Sequence, residues 1–245
     1  MCLLVVGSVA LDSIETPFGK AKDVLGGSAV YSSVSASFFT QTRIVAVVGS
    51  DFPKEHIKFL ESKKIDLKGL KTKAGKTFRW EGRYDFDLNK AITIKTELNV
   101  FSDFNPLLPK GYKSTKLVFL GNIDPELQRA VLRQLDSPKL VACDTMNYWI
   151  ENKPGALKKL LKGVDIFIIN DGEARELSGE VNLLKASRAI IDLGPRLLII
   201  KKGEHGCLLF SKAAIFSAPA YLLDKVYDPT GAGDTFAGGF MGYIS

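Results

Sequence analysis

The run Tyr227-Asp228-Pro229-Thr230-Gly231-Ala232-Gly233-Asp234-Thr235-Phe236-Ala237-Gly238-Gly239 holds the residues best placed to do chemistry. Pro229 and Gly231 predict a turn that feeds a helix starting near Gly233. Glycines at 231 and 233 permit backbone conformations closed to other residues and let a ligand approach closely. Unpaired N–H groups at a helix start, reinforced by the helix dipole, make an anion site. Asp234 falls in that first turn. A carboxylate there repels phosphate, and general-base work beside a phosphoryl group in transfer is a reason for its presence. A plain helix cap or a dinucleotide turn would use the same glycines. The dinucleotide version needs an early strand–turn–helix unit with Gly-x-Gly-x-x-Gly, which the sequence lacks.

Other candidate groups stand where strands are expected to end. Leu3-Leu4-Val5-Val6-Gly7 is a buried-strand pattern, and Asp12 lies beyond it, at the ligand edge of an open α/β sheet or in a simple turn. Gly26-Gly27-Ser28 precedes a helix expected to reach about Phe39 and offers further N–H donors, or a plain loop. Asn170-Asp171-Gly172-Glu173 follows the strand Asp165–Ile169. Asn170 and Glu173 suit an N-cap and its capping-box partner without any chemistry. Leu197–Lys201 is another buried strand, and Gly203 with Gly206 marks a tight return into Cys207–Phe210. Lys201 and Lys202 either meet phosphates or are solvated strand-end charges. Gly75-Lys76-Thr77 suggests a P-loop, but Leu70 breaks the spacing and the strand-before, helix-after context is missing.

The elements that must position these groups alternate. Strands at Ile44–Gly49, Leu117–Leu120 and Leu140–Cys143 are interleaved with helices near Pro53–Lys63, Pro125–Leu135 and Pro154–Leu161. Such alternation argues a doubly wound, mainly parallel sheet with helices on both faces. Between Lys71 and Phe101 the texture changes to period two, in Phe78-Arg79-Trp80-Glu81-Gly82-Arg83-Tyr84-Asp85-Phe86 and Ala91–Thr96. That predicts an antiparallel ribbon with one wet face, outside the main sheet.

Bulk properties exclude several classes. A chain of 245 residues, 46% hydrophobic and 24% charged, is that of an ordinary globular domain. The net charge of +6 is spread without a Lys/Arg run interleaved with aromatics, which argues against nucleic-acid binding. Cys2, Cys143 and Cys207 are few and scattered, as in a reduced, cytoplasmic protein. With only His56 and His205, neither a zinc site nor a Ser-His-Asp machine has its parts. The apolar N-terminus lacks a basic region and reads as a first strand rather than a signal peptide. No apolar run approaches membrane-spanning length.

The 227–239 run, with the early Gly-Gly and the central Asn-x-x-Glu, resembles the ribokinase (PfkB) family of carbohydrate and nucleoside kinases along nearly the whole chain. The resemblance implies a ribokinase-like domain over residues 1–245, with a β-sheet lid from segments near 13–25 and 70–103 that often mediates dimerisation. It implies phosphorylation of a hydroxymethyl group by ATP and Mg²⁺. Asp234 would be the base, and Gly231, Ala232 and Gly233 the anion hole. Asp12, Gly26, Gly27 and Ser28 would hold the acceptor. Asp144-x-x-Asn147 is similar to an Asp-x-Asn segment of the family with altered spacing, placing Asn147 near the acceptor. Asn170, Lys201 and Gly203 would border the nucleotide, with Glu173 on the magnesium side. Asp228 and Thr230 would shape the loop, beside a monovalent cation in some members. Tyr31 departs from the asparagine many members carry there.

Phe78, Trp80, Tyr84 and Phe86 supply enough lid aromatics to cover a base, so a ribonucleoside is the favoured acceptor, ahead of a sugar or cyclitol. The same aromatics could instead pack a partner chain. A catalytically silent nucleotide-binding regulator is the alternative from another class. Family members run several dozen residues past this point, so the resemblance implies a missing C-terminal part. The stripe Phe236, Phe240, Met241 and Ile244 would then lack some of its apolar cover.

Overall fold

Continuous apolar runs become strands covered on both faces. The computed structural model describes residues 2–245, with strands and helices numbered here in chain order. Nine strands form the large sheet: β1 (Cys2–Val6), β4 (Gln41–Gly49), β5 (Asp66–Lys73), β8 (Leu117–Leu120), β9 (Leu140–Asp144), β10 (Ile166–Asn170), β11 (Leu197–Lys201), β12 (Cys207–Ser211) and β13 (Ile215–Ala218). Four others form a small sheet: β2 (Ala10–Thr16), β3 (Gly19–Gly26), β6 (Phe78–Tyr84) and β7 (Ala91–Glu97). The helices are α1 (Ser28–Ala36), α2 (Lys54–Ser62), α3 (Pro125–Leu132), α4 (Asn147–Asn152), α5 (Pro154–Leu161), α6 (Asp171–Ser178), α7 (Leu183–Ile191) and α8 (Ala232–Tyr243).

The large sheet runs β13-β12-β11-β10-β9-β8-β1-β4-β5, parallel from β11 to β5 and antiparallel at β12 and β13. Alternate residues feed two cores. Leu4 and Val6 of β1 join Val131, Leu157, Ala174 and Ile190 on one face. Leu3 and Val5 join Ala29, Leu60, Ala237 and Met241 on the other. Helices α1, α2 and α8 therefore cover one face, and α3, α5, α6 and α7 the other. From β1 the chain winds one way through β4 and β5 and the other way through β8 to β11, so the switch point lies between β1 and β8. Ligands of open α/β sheets bind at the strand carboxyl ends there.

The start of α1 is set into that switch point. Ser28 is buried, with its hydroxyl accepting from Ser8 N at 3.1 Å, while its own N–H donates to Ser8 Oγ at 3.1 Å. A Cβ on Gly7 would fall 2.6 Å from Ser28 Oγ, and one on Gly121 3.0 Å from it. Helix α8 lies against α1, where a Cβ on Gly238 would meet Ser32 O at 2.1 Å and one on Gly242 the Ala36 Cα at 2.8 Å. The glycines let the two backbones touch.

Several expectations need correction. Lys71 to Lys73 belong to β5, paired in parallel with β4 in the large sheet. The small sheet therefore begins at Phe78 on that side, and on the other side at Ala10. It is not wholly antiparallel, because β2 and β6 run side by side in parallel. Helix α1 stops at Ala36, short of Phe39. The buried face of α8 is Ala237, Gly238, Met241 and Gly242; of the expected stripe Met241 is fully buried and Phe236 and Phe240 pack partly against the core. Phe236 and Phe240 stack on each other at 6.4 Å, and Ile244 is exposed. Gly238 and Gly242 share that face with Met241 because α1 approaches closely there.

Candidate active site

Gly231 is the N-cap of α8, held in the left-handed region at φ 72°. Upstream, Asp228 Oδ1 accepts the Thr230 N–H at 2.8 Å, which closes the turn locally. The Ala232 N–H donates to Pro229 O at 3.0 Å, so it is already committed, contrary to its expected place in the anion hole. The N–H groups of Gly231, Gly233 and Asp234 have no hydrogen-bond partner among the described residues. These three N–H groups face a ligand position at a helix start.

Lys201 ends β11, and a Cβ on Gly233 would fall 2.7 Å from its Nζ. An ammonium beside the positive end of a helix is unfavourable unless an anion joins them. Around it stand Asp234, the buried Asp144 at the end of β9, and the buried Glu173 of α6. Burial pushes the Asp234 carboxyl up to about 6, opposed by the Lys201 ammonium and by the adjacent Asp144. Asp144 is raised well above the ordinary carboxylate range by burial and then by the charge of Asp234. Burial also raises Glu173, with Lys201 acting the other way. The Asn170–Glu173 capping box forms: Glu173 N donates to Asn170 Oδ1 and Asn170 N to Glu173 Oε2, both at 2.8 Å. One carboxylate oxygen of Glu173 stays outside the box, and a single buried carboxylate suits an ion that keeps most of its waters.

Asp12 approaches from the small sheet. A Cβ on Gly26 would fall 1.9 Å from Asp12 Oδ2, so the carboxylate lies directly on that glycine. Gly27, at φ 96°, turns its N–H to Asp12. Burial pushes Asp12 up to about 7; the Gly27 N–H opposes the rise, and Asp234 and Asp228 add to it. Tyr31 of α1 lies across the turn that leads into α8, where a Cβ on Gly231 would come within 2.4 Å of its ring. Burial raises its hydroxyl pKa, as do the nearby Asp12, Asp228, Asp234 and Tyr84. These five groups are close enough to influence one another's charge.

Strand β6 forms the cover. Asp12 is the register partner of Trp80, and Ile14 of Gly82. Partners in neighbouring strands share a face, so Trp80, Gly82 and Tyr84 stand on the face of Asp12. The Trp80 indole lies flat along the strand, since a Cβ on Gly82 would fall 2.0 Å from it, and its Nε1 donates to Thr93 Oγ1 at 3.2 Å. Tyr84 Oη and Thr230 Oγ1 are 3.3 Å apart, which ties β6 to the turn before α8. Of the other aromatics, Phe78 stacks on Phe101 at 5.2 Å, and Phe86 is exposed.

Three expected residues lie differently. Ser28 is occupied with Ser8 inside the fold. Asn147 is exposed on α4 and donates to Glu176, away from Asp12. Gly203 lies under the small sheet's hairpin tip, where its Cβ would be 3.0 Å from Asn89 Oδ1. Two further residues join the site. Asp144 carries the same signal as Asp12, an acid at the end of a buried strand, and Tyr31 is marked only by its departure from the family's asparagine.

Comparisons with known proteins agree on the family and the fold. The chain is 29% identical to the cytidine kinase of Thermococcus kodakarensis, over 98% of this chain and 87% of that protein. The Burkholderia thailandensis nucleoside kinase in complex with inosine superposes with a TM-score of 0.82 at 18% identity, over 99% of this chain and 83% of that one. An Escherichia coli protein provisionally assigned as a ribokinase II, solved with ATP and Mg²⁺, gives 0.81 at 17% identity, over 98% and 84%. These last two share the ribokinase-like fold. No helix among the described residues is long and apolar enough to cross a membrane. Residues 18–244 match the pfkB family of carbohydrate kinases, and the chain is a member of that family and a phosphotransferase.

Proposed function

We propose that the protein transfers the γ-phosphoryl group of ATP to a hydroxymethyl group of a ribonucleoside. The observation that carries this is the convergence of Asp12 and Asp234 on one space between the start of α8 and the Trp80 face of the small sheet. Asp12 accepts hydrogen bonds from acceptor hydroxyls. Asp234 takes the proton of the attacking hydroxyl as the phosphorus–oxygen bond forms. The free N–H groups of Gly231, Gly233 and Asp234 and the Lys201 ammonium hold the charge on the transferred group and on the leaving ADP. Mg²⁺, when bound with ATP, neutralises phosphate charge, and Glu173 is the residue here that would hold its water shell. Asn170 keeps Glu173 in place. Asp228 shapes the loop through Thr230, and no step passes through a monovalent cation.

The small sheet acts as the lid. An indole laid flat beside Asp12 is a stacking platform, worth about 1–3 kcal/mol per base. This favours a nucleoside, and cytidine is the first to try given the relative named above. A sugar or cyclitol acceptor is the second reading, favoured by the family description. An ADP-release screen over ribonucleosides, pentoses, hexoses and inositols separates them. The expected result is release with a ribonucleoside. Release with a sugar or inositol alone moves the assignment to the second reading, and ATP binding without release under any acceptor points to a regulator.

A further inference from the structure

The small sheet meets the large one at a tightly bonded crossing. Residues 75–77 pass over the end of β4, where a Cβ on Gly49 would fall 2.4 Å from the backbone of all three. Thr77 is fully buried, and its Oγ1 accepts the Gly49 N–H at 3.0 Å. Both its hydroxyl and its N–H donate to Asp51 Oδ1 at 2.7 Å, and Asn99 Nδ2 donates to Thr77 O at 2.9 Å. Asp51, in the turn after β4, is thereby held rigidly. Its other oxygen, Oδ2, takes Arg79 Nη2 at 3.0 Å, while Arg79 Nη1 bonds Asp23 of β3. Asp23 itself stands at φ 52°, with its N–H on Ser13 Oγ at 3.2 Å.

From this geometry we infer that Arg79 is a positioning residue: its guanidinium clamps the small sheet to the Asp51 turn and so sets where Trp80 stands over the acceptor. The inference rests on the reading of the small sheet as the acceptor's cover. Arg79 and Trp80 are neighbours on β6 and point to opposite faces, so a shift of the outer anchor moves the inner platform. One fork reaches two carboxylates on different elements, which a lysine ammonium cannot match in geometry. Partly exposed ion pairs add little to global stability. The effect therefore falls on the orientation of the sheet rather than on folding.

The test uses Arg79→Ala, Arg79→Lys and Asp51→Asn, with Trp149→Phe as background so that Trp80 is the one indole present. Arg79→Ala should raise the acceptor KM by about 10- to 100-fold, the scale of an ångström-sized misplacement, with ATP KM and kcat at saturating acceptor nearly unchanged. Arg79→Lys should recover part of the loss, and Asp51→Asn should resemble Arg79→Ala. Trp80 emission should shift to the red in Arg79→Ala without a matching fall in Tm. Unchanged acceptor KM and unchanged emission would reduce Arg79 to a surface ion pair. Parallel losses in both substrates with a large fall in Tm would make it a general folding element. If wild type phosphorylates nothing, the functional reading fails, and the emission shift alone still decides whether Arg79 holds the sheet.

Discussion

The two sides of the active site are built by different means. The side proposed to hold phosphate consists of strand ends and helix starts of the large sheet: Lys201 closes β11, Asp144 closes β9, and the free N–H groups open α8. Its positions follow from local backbone geometry. The side proposed to take the acceptor is one face of a small sheet, where Asp12 and Trp80 are neighbours only because β2 and β6 align in one register. A slip of one residue would turn every side chain of a strand to the other face. The first side is robust to changes in side chain away from the loop, and the second depends on pairing. On the proposed reading, kinase chemistry belongs to the first side and acceptor choice to the second.

The sharpest break of this division is Asp234→Asn, which should lower kcat by about 10²–10⁴ while acceptor binding changes little. Near-normal turnover would remove Asp234 from the role of base. In wild type, kcat/KM should rise with pH through the region of about 6 to 7, where Asp234 and Asp12 lose their protons. A flat profile from pH 5 to 8 would contradict both assignments.

Next in size, Trp80→Ala should weaken nucleoside binding by about 1–3 kcal/mol and leave ATP binding alone. Gly82→Ala should reproduce part of that loss, because its Cβ would displace the indole. If Trp80→Ala instead lowers the molar mass measured by light scattering with acceptor affinity intact, Trp80 is a subunit contact. A smaller effect is expected at the Tyr84–Thr230 hydrogen bond. Tyr84→Phe should reduce kcat by about 2- to 10-fold, the worth of a single neutral hydrogen bond. No change would mean that the cover and the phosphate loop act independently.

The smallest effect is on stability. Asp12 carries a folded pKa of about 7 against an ordinary 3.8, so the folded protein holds a proton the unfolded chain has released. The stability this gives is complete below the ordinary value and lost as pH rises through about 7. Asp12→Asn has no proton to lose. It should be more stable than wild type at pH 8, by on the order of 1 kcal/mol, and less so at pH 5. Equal differences in Tm at the two pH values would show that Asp12 ionises without cost.

The sequence alone determined the doubly wound class, the loop from Asp228 to Asp234, the Asn170–Glu173 cap and the Gly-Gly turn. Each of these is written within a few consecutive residues, in apolar runs, glycines and capping types whose preferences act locally. Only the tertiary structure decided that Asp12 sits in the small sheet, that the Ala232 N–H is already used, and that Ser28 serves Ser8 rather than a ligand. It alone laid Tyr31 on Gly231, Lys201 on Gly233 and Trp80 on Gly82, and joined Arg79 to Asp51. These contacts bring together elements distant in sequence or hang on strand register and side-chain direction, which residue types and spacing do not encode.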